Sequence, residues 1–448
     1  MNLKRSYSIV SSTFKGTSLN AIHPPFYLAC MRFCSIASLT VFAASLLLAD
    51  LVLAETVSLS TLVEKTVSNH PELRFYEAEI QAAKGGKKTA GVFTNPDLQT
   101  GVGNWRVREL ATNQVSDGPT WSVTLTQTIE WPGRIALRKA IAQKKLDIAE
   151  LGLSQFRRTI ASQVETRGWQ FLAAQEKARV AYEVAHRLEE LSNVVLQRDP
   201  AGIAPRMEAK IIQASAMTLG AERSRAQNEL DSARFELNRL LGQKPEHKLE
   251  ISHEKLMLNP PPPLDKLLTS ARSQNFELRS RMLEVEQQGF EVALAEKQLW
   301  PAITVQPYVQ RQTNQTRETQ VGMGVSFPLP LLDRNTGQIE AARARKTQAE
   351  VLLNSHLSQL ERDVASQESH YRIHVAELSK WPPNILDEFQ KVAAEADEHY
   401  RLGALPLTTY IELQRQYLES VQAVLTSQLG ALEARLALEQ LTGLGLPR

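Results

Sequence analysis

The chain has 448 residues, with 51 Lys and Arg against 49 Asp and Glu and a formal net charge of +2. That length suits two or three ordinary domains or one large elongated one, and the near-neutral balance gives no basic patch for nucleic acid. Both cysteines, Cys30 and Cys34, fall in the first 54 residues, so the rest of the chain holds no disulfide framework, thiolate metal site, thiol nucleophile or lipidated cysteine.

Residues 1–54 read as an N-terminal extension and a secretory signal. Arg32 supplies the positive end, residues 35–49 an uncharged and mostly apolar run, and Val52-Leu53-Ala54 a small-residue cleavage site before Glu55. Residues 1–30 do not resemble the charged region of a signal, which makes Met31 the expected start. A transmembrane anchor is the other reading, but the run is shorter than the ~20 residues a spanning helix needs, and Asp50 interrupts it. Lys4, Arg5, Lys15 and Arg32 stand against Asp50 in this leader, so its removal leaves 47 basic and 48 acidic residues. No later segment is apolar enough to span a membrane as a helix. An exported chain of this kind that crosses a membrane must use strands.

Residues 57–94 have helical periodicity, with a turn expected at Asn69-His70-Pro71, a soft spot at Gly85-Gly86 and an end at Asn95-Pro96. A short strand at 97–105, a polar loop at 106–119 and a strand at 120–129 follow. In the second strand Trp121, Val123, Leu125 and Ile129 alternate with Ser122, Thr124, Thr126 and Thr128, the period of two of a sheet with one apolar face. The pattern stops at Pro132-Gly133. Residues 134–198 are then nearly free of helix breakers, and Leu146, Ala149, Leu153, Phe156 and Ile160 have the 3, 4, 3, 4 spacing of a coiled-coil seam. At 1.5 Å per residue such a helix reaches roughly 100 Å, which calls for a bundle or a tube. A turn at 199–205 precedes a helix at 206–241, with Leu219, Ala226, Leu230, Ala233, Leu237 and Leu240 on one side. Residues 242–263 are irregular and end in Pro260, Pro261, Pro262 and Pro263.

The sequence then starts over. An offset of 205 pairs Leu59 with Leu264, Glu72-Leu73-Arg74 with Glu277-Leu278-Arg279, and Pro96 with Pro301. After a shorter loop the offset is 198, pairing Val123 with Val321 and Pro132 with Pro330. Near the later turn it is 201, pairing Gly202 with Gly403, Pro205 with Pro406, Gln213 with Gln414, Arg234 with Arg435 and Gly242 with Gly443. Paired Gly and Pro at matching breaks indicate duplicated architecture: a first repeat over 55–259 and a second over 260–448. The second repeat supplies strands at 302–310 and 320–327 and a second turn at 402–406. Pro382-Pro383 breaks its long helix and has no counterpart in the first repeat.

Strands of nine or ten residues match the ~9–11 that cross a bilayer when tilted. The same alternation also fits a half-buried sheet on a globular core. Four strands close no barrel, and an open edge in hydrocarbon leaves backbone groups unpaired. In a membrane, therefore, several chains must share one barrel, of eight strands from two copies or twelve from three; the strands alone do not choose.

The order helix, strand, strand, long helix, turn, helix, given twice from residue 55 to the C-terminus, resembles the TolC-type outer-membrane efflux proteins. Two motifs resemble the heavy-metal (cobalt–zinc–cadmium) resistance branch: LTQTIEWPGR at 125–134, with Trp131, Pro132, Gly133 and Arg134, and FPLPLLDRNTG at 327–337, with Pro328, Pro330, Asp333 and Arg334. The resemblance implies a mainly α chain with a transmembrane β part. It implies a homotrimer with a shared twelve-stranded barrel in the outer membrane of a Gram-negative bacterium, continued by an α-helical tunnel across the periplasm. The implied partners are outer-membrane lipid, a periplasmic membrane-fusion adaptor and a proton-driven inner-membrane pump of the resistance–nodulation–division class, and the implied cargo is a divalent cation. No cofactor is expected.

In that family acidic residues shortly after the helical turn narrow the periplasmic entrance, and the matching positions here are Glu208 and Glu412. A solvated helix face is the plainer reading, since Thr409 stands opposite Glu208 in the repeat and Ile211 opposite Glu412. Gly202, Pro205, Gly403 and Pro406 shape the tips expected to meet the adaptor, or serve only as turn residues. His370 and His374 share a helix face but show no third metal ligand. Met207, Met217, Met257, Met282 and Met323 do not cluster into a soft-metal relay. Trp105, Trp121 and Tyr308 are candidates for an aromatic belt at the bilayer interface. There is no P-loop, G-x-S-x-G or H-E-x-x-H, so a duct is expected and an enzyme is not. The alternatives are a duct for drugs or a secreted protein and, from another class, a soluble periplasmic coiled-coil scaffold. A duct fractionates with the outer membrane and needs detergent, whereas a scaffold is released by osmotic shock.

Overall fold

A computed structural model describes residues 57–111, 113–197, 203–252, 256–313, 316–382 and 384–446. The leader expected over 1–54, the centre of the turn expected at 199–205, and Pro383 lie outside these described residues.

The first half opens with α1 (Leu59–Asn69), whose N-cap Ser58 accepts the Thr61 N–H at 3.2 Å, and α2 (Leu73–Ala90). The expected break at His70-Pro71 separates them. Helix α2 runs unbroken through Gly85-Gly86 and stops at Gly91, short of Pro96. Strands β1 (Asp97–Arg108) and β2 (Val115–Ile129) form a hairpin that leads into α3 (Arg134–Gln197). Helix α3 has 64 residues, about 96 Å at the standard rise. Helix α4 (Ile203–Leu241) packs along it. Among the described residues of 242–263 there is no helix; Ile251 bridges back to Val57, with the Val57 N–H donating to the Glu250 carbonyl at 3.0 Å.

The second half has the same order: α5 (Leu264–Gln274), α6 (Phe276–Lys297), β3 (Ile303–Thr313), β4 (Arg317–Ser326), α7 (Thr336–Leu378), α8 (Ile385–Arg401) and α9 (Leu407–Thr442). Where the first half has one long helix, the second has two. Helix α7 ends at Leu378, and Pro382 lies four residues on, where its ring would meet the Leu378 carbonyl of a continued helix. Helices α4 and α9 each end at a glycine in the left-handed region, Gly242 (φ +68°) and Gly443 (φ +71°). Among the described residues no helix is long and apolar enough to cross a membrane.

The four strands form one antiparallel sheet in the order β1-β2-β3-β4, and β1 and β4 each pair on one side only. The strands run longer than their apolar alternation, because the hairpins continue into polar sequence. Arg106 pairs with Asp117 across β1 and β2 at 3.3 Å, and the Arg311 guanidinium donates to the Thr319 hydroxyl at 3.1 Å across β3 and β4. Cross-strand pairs of this kind carry a ladder where there is no apolar surface to bury. The register has no bulge. It sets Leu98 beside Leu125, Val123 beside Val309 and Val305 beside Val325 on one face, and Thr124 beside Tyr308 and Tyr308 beside Gly322 on the other.

The apolar face is exposed, most clearly along β2 and β4, and β1 is exposed on both faces. Trp121, Val123, Leu125 and Ile129 are exposed while Ser122, Thr124, Thr126 and Thr128 are half-buried, and Val102, Val321 and Met323 reach 90%, 73% and 69% exposure. The register divides the three aromatics expected in one belt. Trp121 lies on the apolar face. Trp105 pairs with Gly118 and Tyr308 with Gly322, which puts both on the polar face. Alternation is a property of the pair, so a residue's side of the sheet follows from its partner as well as its own neighbours.

The helices bury their apolar residues in separate clusters strung along α3, α7 and α9. One joins Val180, Val184 and Leu188 of α3 to Leu219 of α4, Ala393 of α8 and Tyr410 and Val421 of α9. A second packs Leu59, Leu62 and Leu73 against Phe156, Ile160, Val164 and Leu237. A third gathers Leu267, Leu278, Leu360, Val364, Tyr371 and Leu438. The expected α3 seam is inside, with Leu146, Ala149, Phe156 and Ile160 buried and Leu153 half-buried.

Gly443 is a direct test of the α9 terminus. A Cβ there would meet the Gln274 Cβ at 2.8 Å at a φ of +71°. Gly443→Ala should lower stability by about 1–3 kcal/mol, while Gly445→Ala, with nothing within 4 Å, should stay within about 0.5 kcal/mol. Thermal unfolding followed by helical circular dichroism measures both; equal midpoints would remove the cap from this account.

Candidate functional site

Two places combine the sequence-singled residues with specific geometry: the junction between sheet and helices, and the helical tips. At the junction β2 becomes α3 within four residues. Gly133 sits at φ +90°, a conformation open to glycine, and a Cβ there would approach the Lys297 side chain to 3.1 Å. The Leu137 N–H then donates to the Gly133 carbonyl at 3.0 Å, the first helical turn. Arg134 reaches across to the other half. Its Nε donates to the Lys297 carbonyl at 3.2 Å and its Nη2 to the Trp300 carbonyl at 2.6 Å. These carbonyls lie at and just beyond the C-terminus of α6, where a cation is favoured by the helix dipole and by unpaired acceptors.

The second junction is built differently. Asn335, φ +55°, donates its N–H to Asp333 Oδ1 at 2.8 Å and its side-chain amide to the Ala295 carbonyl at 2.9 Å. Short polar side chains tolerate this left-handed position. The Ile339 N–H donates to the Asn335 carbonyl at 3.1 Å as α7 begins. Both junctions therefore bind the same end of α6. Trp131 stacks on Trp300, centroids 5.1 Å apart and planes 13° from parallel. Pro330 and Arg334 join them around a cavity of about 560 Å3 that also meets Ile303 and Phe327. Pro132 and Pro328 are exposed. Sequence reasoning picked out Trp131, Arg134, Asp333 and Arg334 but missed Trp300 and Asn335. The signal for Trp300 was the Pro301 that follows it, which pairs with Pro96 in the repeat.

At the tips, Gly202 is outside the described residues and Pro205 falls in the first turn of α4. Gly403 closes the end of α8, donating to the Tyr400 carbonyl at 2.9 Å, and Pro406 caps α9. Both are exposed. Glu208 and Glu412 are exposed, and among the described residues no hydrogen bond joins them. Glu412 accepts from Gln416 at 2.9 Å and pairs with Arg415 at 3.4 Å, so a neighbouring cation offsets its charge. Glu208 lies near Tyr400; burial first and then the Glu208 charge push the Tyr400 hydroxyl pKa up.

Behind the tips is a clamp that sequence reasoning did not assemble. The Tyr410 hydroxyl donates to Asp397 at 2.8 Å, and Tyr410 stacks on Tyr400 with centroids 4.8 Å apart. Burial, then this bond and the Asp397 charge, push the Tyr410 hydroxyl pKa well up. Arg401 holds Asp397 at 2.9 Å and Glu190 of α3 at 3.4 Å. Gln414, fully buried, donates to the Ala393 carbonyl at 2.8 Å and accepts from Arg187 of α3 at 3.2 Å. These contacts fasten α8 and α9 to α3. The one hint in the sequence was the pairing of Gln414 with Gln213.

His374 packs against Gly430, His370 is exposed, and among the described residues no group of three or more His, Cys, Asp or Glu is placed to hold a metal ion.

An open sheet with an outward apolar face, joined at one end to helices of up to 64 residues, defines a channel-type outer-membrane fold. The chain matches the sequence profile of the outer membrane efflux proteins over residues 62–243 and 267–444, and it belongs to that family. The family is one of transport ducts, not enzymes. Among its relatives, the cobalt-zinc-cadmium resistance protein CzcC of Cupriavidus metallidurans is 28% identical over 281 residues, 62% of this chain and 64% of that protein. The pyoverdine export outer membrane protein OpmQ of Pseudomonas aeruginosa is 22% identical over 86% of this chain and 85% of its own. Among solved structures, the Campylobacter jejuni outer membrane channel CmeC aligns with a TM-score of 0.68 at 13% identity, covering 86% of this chain and 85% of that one. CusC aligns at 0.67 and 14% identity, covering 87% and 93%. These two structures share the fold.

Arg134→Lys should cost about 1–3 kcal/mol, because an ammonium cannot reach both carbonyls with a planar fork. A fall in the thermal midpoint of the purified protein checks it; an unchanged midpoint would show that the bonds to Lys297 and Trp300 contribute nothing net.

Proposed function

We propose that the chain is the exit duct of a tripartite efflux system in the outer membrane of a Gram-negative bacterium. Three copies close one twelve-stranded barrel, and their helices continue it as a tunnel through the periplasm to a membrane-fusion adaptor and an inner-membrane pump of the resistance–nodulation–division class. The carrying observation is the outward apolar pattern of β2 and β4: Trp121, Val123, Leu125, Ile129, Val321, Met323 and Val325 are exposed, while the alternating Ser122, Thr124, Thr126, Thr128, Gly322 and Gly324 are half-buried. A water-soluble sheet does the opposite, and a lipid-facing barrel requires this arrangement. The free edges of β1 and β4 need strands from other copies, since each backbone group left unpaired in hydrocarbon costs several kcal/mol. Eight strands would leave an interior that side chains fill, so a duct favours twelve.

The cargo in this reading is divalent heavy-metal cations, supported by the likeness to CzcC. A second reading, an organic cargo, is favoured by OpmQ, whose match covers more of this chain. Carboxylates repeated around a narrow tunnel mouth concentrate cations. Glu208 leads that role here, because Glu412 has Arg415 beside it. The exposed turn at Gly403 and Pro406, with Gly202 and Pro205 in the other half, forms the surface that meets the adaptor.

Deleting the gene should lower the tolerated concentration of at least one of zinc, cobalt, cadmium, nickel, copper and silver severalfold. Unchanged growth on all six, with new sensitivity to organic toxicants, would replace the metal cargo by the organic one. In planar bilayers, Glu208→Gln with Glu412→Gln should reduce the cation-over-anion permeability ratio. An unaltered ratio would take both residues out of the entrance.

A further inference from the structure

The apolar face of the sheet does not stop where the strands do. Ile303 opens β3 on that face and Phe327 follows β4 on it, and both also line the junction cavity with the Trp131–Trp300 stack, Pro301 and Pro330. The lipid-facing surface therefore runs without interruption into a slot on the helix side of the sheet. Stacked indoles suit that level, where an apolar ring meets lipid chains and an N–H meets headgroups. Leu329, Leu331 and Leu332 beside it are 65%, 74% and 102% exposed, a cluster that water alone does not account for.

The remaining lining residue of functional weight is a cation. Arg334 is exposed and, among the described residues, has neither a hydrogen bond nor an ion pair. Three other arginines at this level are occupied: Arg138 with Glu130 at 2.8 Å, Arg343 with Glu296 at 2.7 Å, and Arg134 with two carbonyls. Arg334 thus places a free planar donor fork beside an apolar slot. An amphiphile with a phosphate at the head of a hydrocarbon chain complements both parts at once.

We propose that this junction cavity is a docking site for an anionic phospholipid of the inner leaflet of the outer membrane, with an acyl chain against Trp131 and Trp300 and its phosphate on Arg334. The site rests on the membrane reading above, since it lies where the barrel meets the periplasmic helices. It would hold the barrel at one height in the bilayer by a specific headgroup contact in addition to the apolar band.

The test uses the full processed chain, extracted as its assembled oligomer in detergent and examined by native mass spectrometry. The probes are dioleoyl phosphatidylglycerol, dioleoyl phosphatidylcholine and inorganic phosphate. About one phosphatidylglycerol per subunit should be retained in preference to phosphatidylcholine. Arg334→Ala should weaken that retention about tenfold, the loss of one charge-assisted contact, while Arg334→Lys keeps most of it. Equal retention of the two lipids overturns the proposal even where no variant folds. So does an Arg334→Ala oligomer that retains lipid like the parent, or displacement of phosphatidylglycerol by millimolar inorganic phosphate, which would mark a free-anion site. A neighbouring copy covering the cavity would exclude both lipids, and that too overturns it. A chain recovered without detergent as a water-soluble monomer would instead refute the membrane reading itself.

Discussion

Everything in this molecule answers to the two unpaired edges of its sheet. β1 and β4 each have a neighbour on one side only, so one edge of each carries a row of free N–H and C=O groups. In water such an edge invites aggregation, and in hydrocarbon it is prohibitive. The outward apolar face makes the difficulty worse for a lone chain and resolves it for a ring of chains, because closure removes the edges and lipid covers the face. The polar hairpin ends fit the same scheme. Arg106 with Asp117 and Arg311 with Thr319 extend the ladder beyond the apolar stretch, which in the proposed barrel gives the strands a solvated rim.

The junction residues turn that sheet into the end of a helical bundle. Strands lie about 4.8 Å apart and packed helices 8–10 Å apart, so four strands cannot continue directly into equally spaced long helices. The chain meets the mismatch by crossing its halves. Arg134 of the first half and Asn335 of the second both hold the C-terminal end of α6, and Trp131 of the first stacks on Trp300 of the second. The Arg134 bonds and the indole stack each need residues from both halves, while the Asn335 bond is made within the second. An arginine and an asparagine do equivalent work at non-equivalent positions, which shows how far the two copies have been individually fitted to one task.

Much of this was legible in the residues because it depends on periodicity and punctuation. The alternation from Trp121 to Ile129, the seam from Leu146 to Ile160 and the Gly and Pro at matching breaks are local signals, and each marks an element the structure contains. Three things were not legible. Strand ends were missed because polar residues pair across a hairpin as well as apolar ones do. The side taken by Trp105 follows from its partner Gly118, 13 residues away, because 97–105 carries no clear alternation, whereas Tyr308 already falls in phase with Thr304, Gln306 and Gln310 on the polar side. The tip clamp joins residues more than 200 positions apart, as in Arg187 with Gln414, and no local pattern can assemble it.

The departures between the halves are as informative as the likeness. Arg234 and Arg435 correspond, yet Arg234 is about one-third exposed and pairs with Asp231 one turn away, whereas Arg435 is almost wholly buried and pairs with Glu165 of α3 at 2.8 Å. A buried ion pair seldom adds net stability over an apolar contact of the same shape, but losing one partner is costly, so such a pair fixes alignment. Here it fixes α9 against the unbroken helix, near the centre of the bundle. Further along α9, Gln414 and Tyr410 attach to the same α3 and to α8. The second half therefore combines a rigid anchor at Arg435 with a break at 379–384, and the first half has a continuous rod.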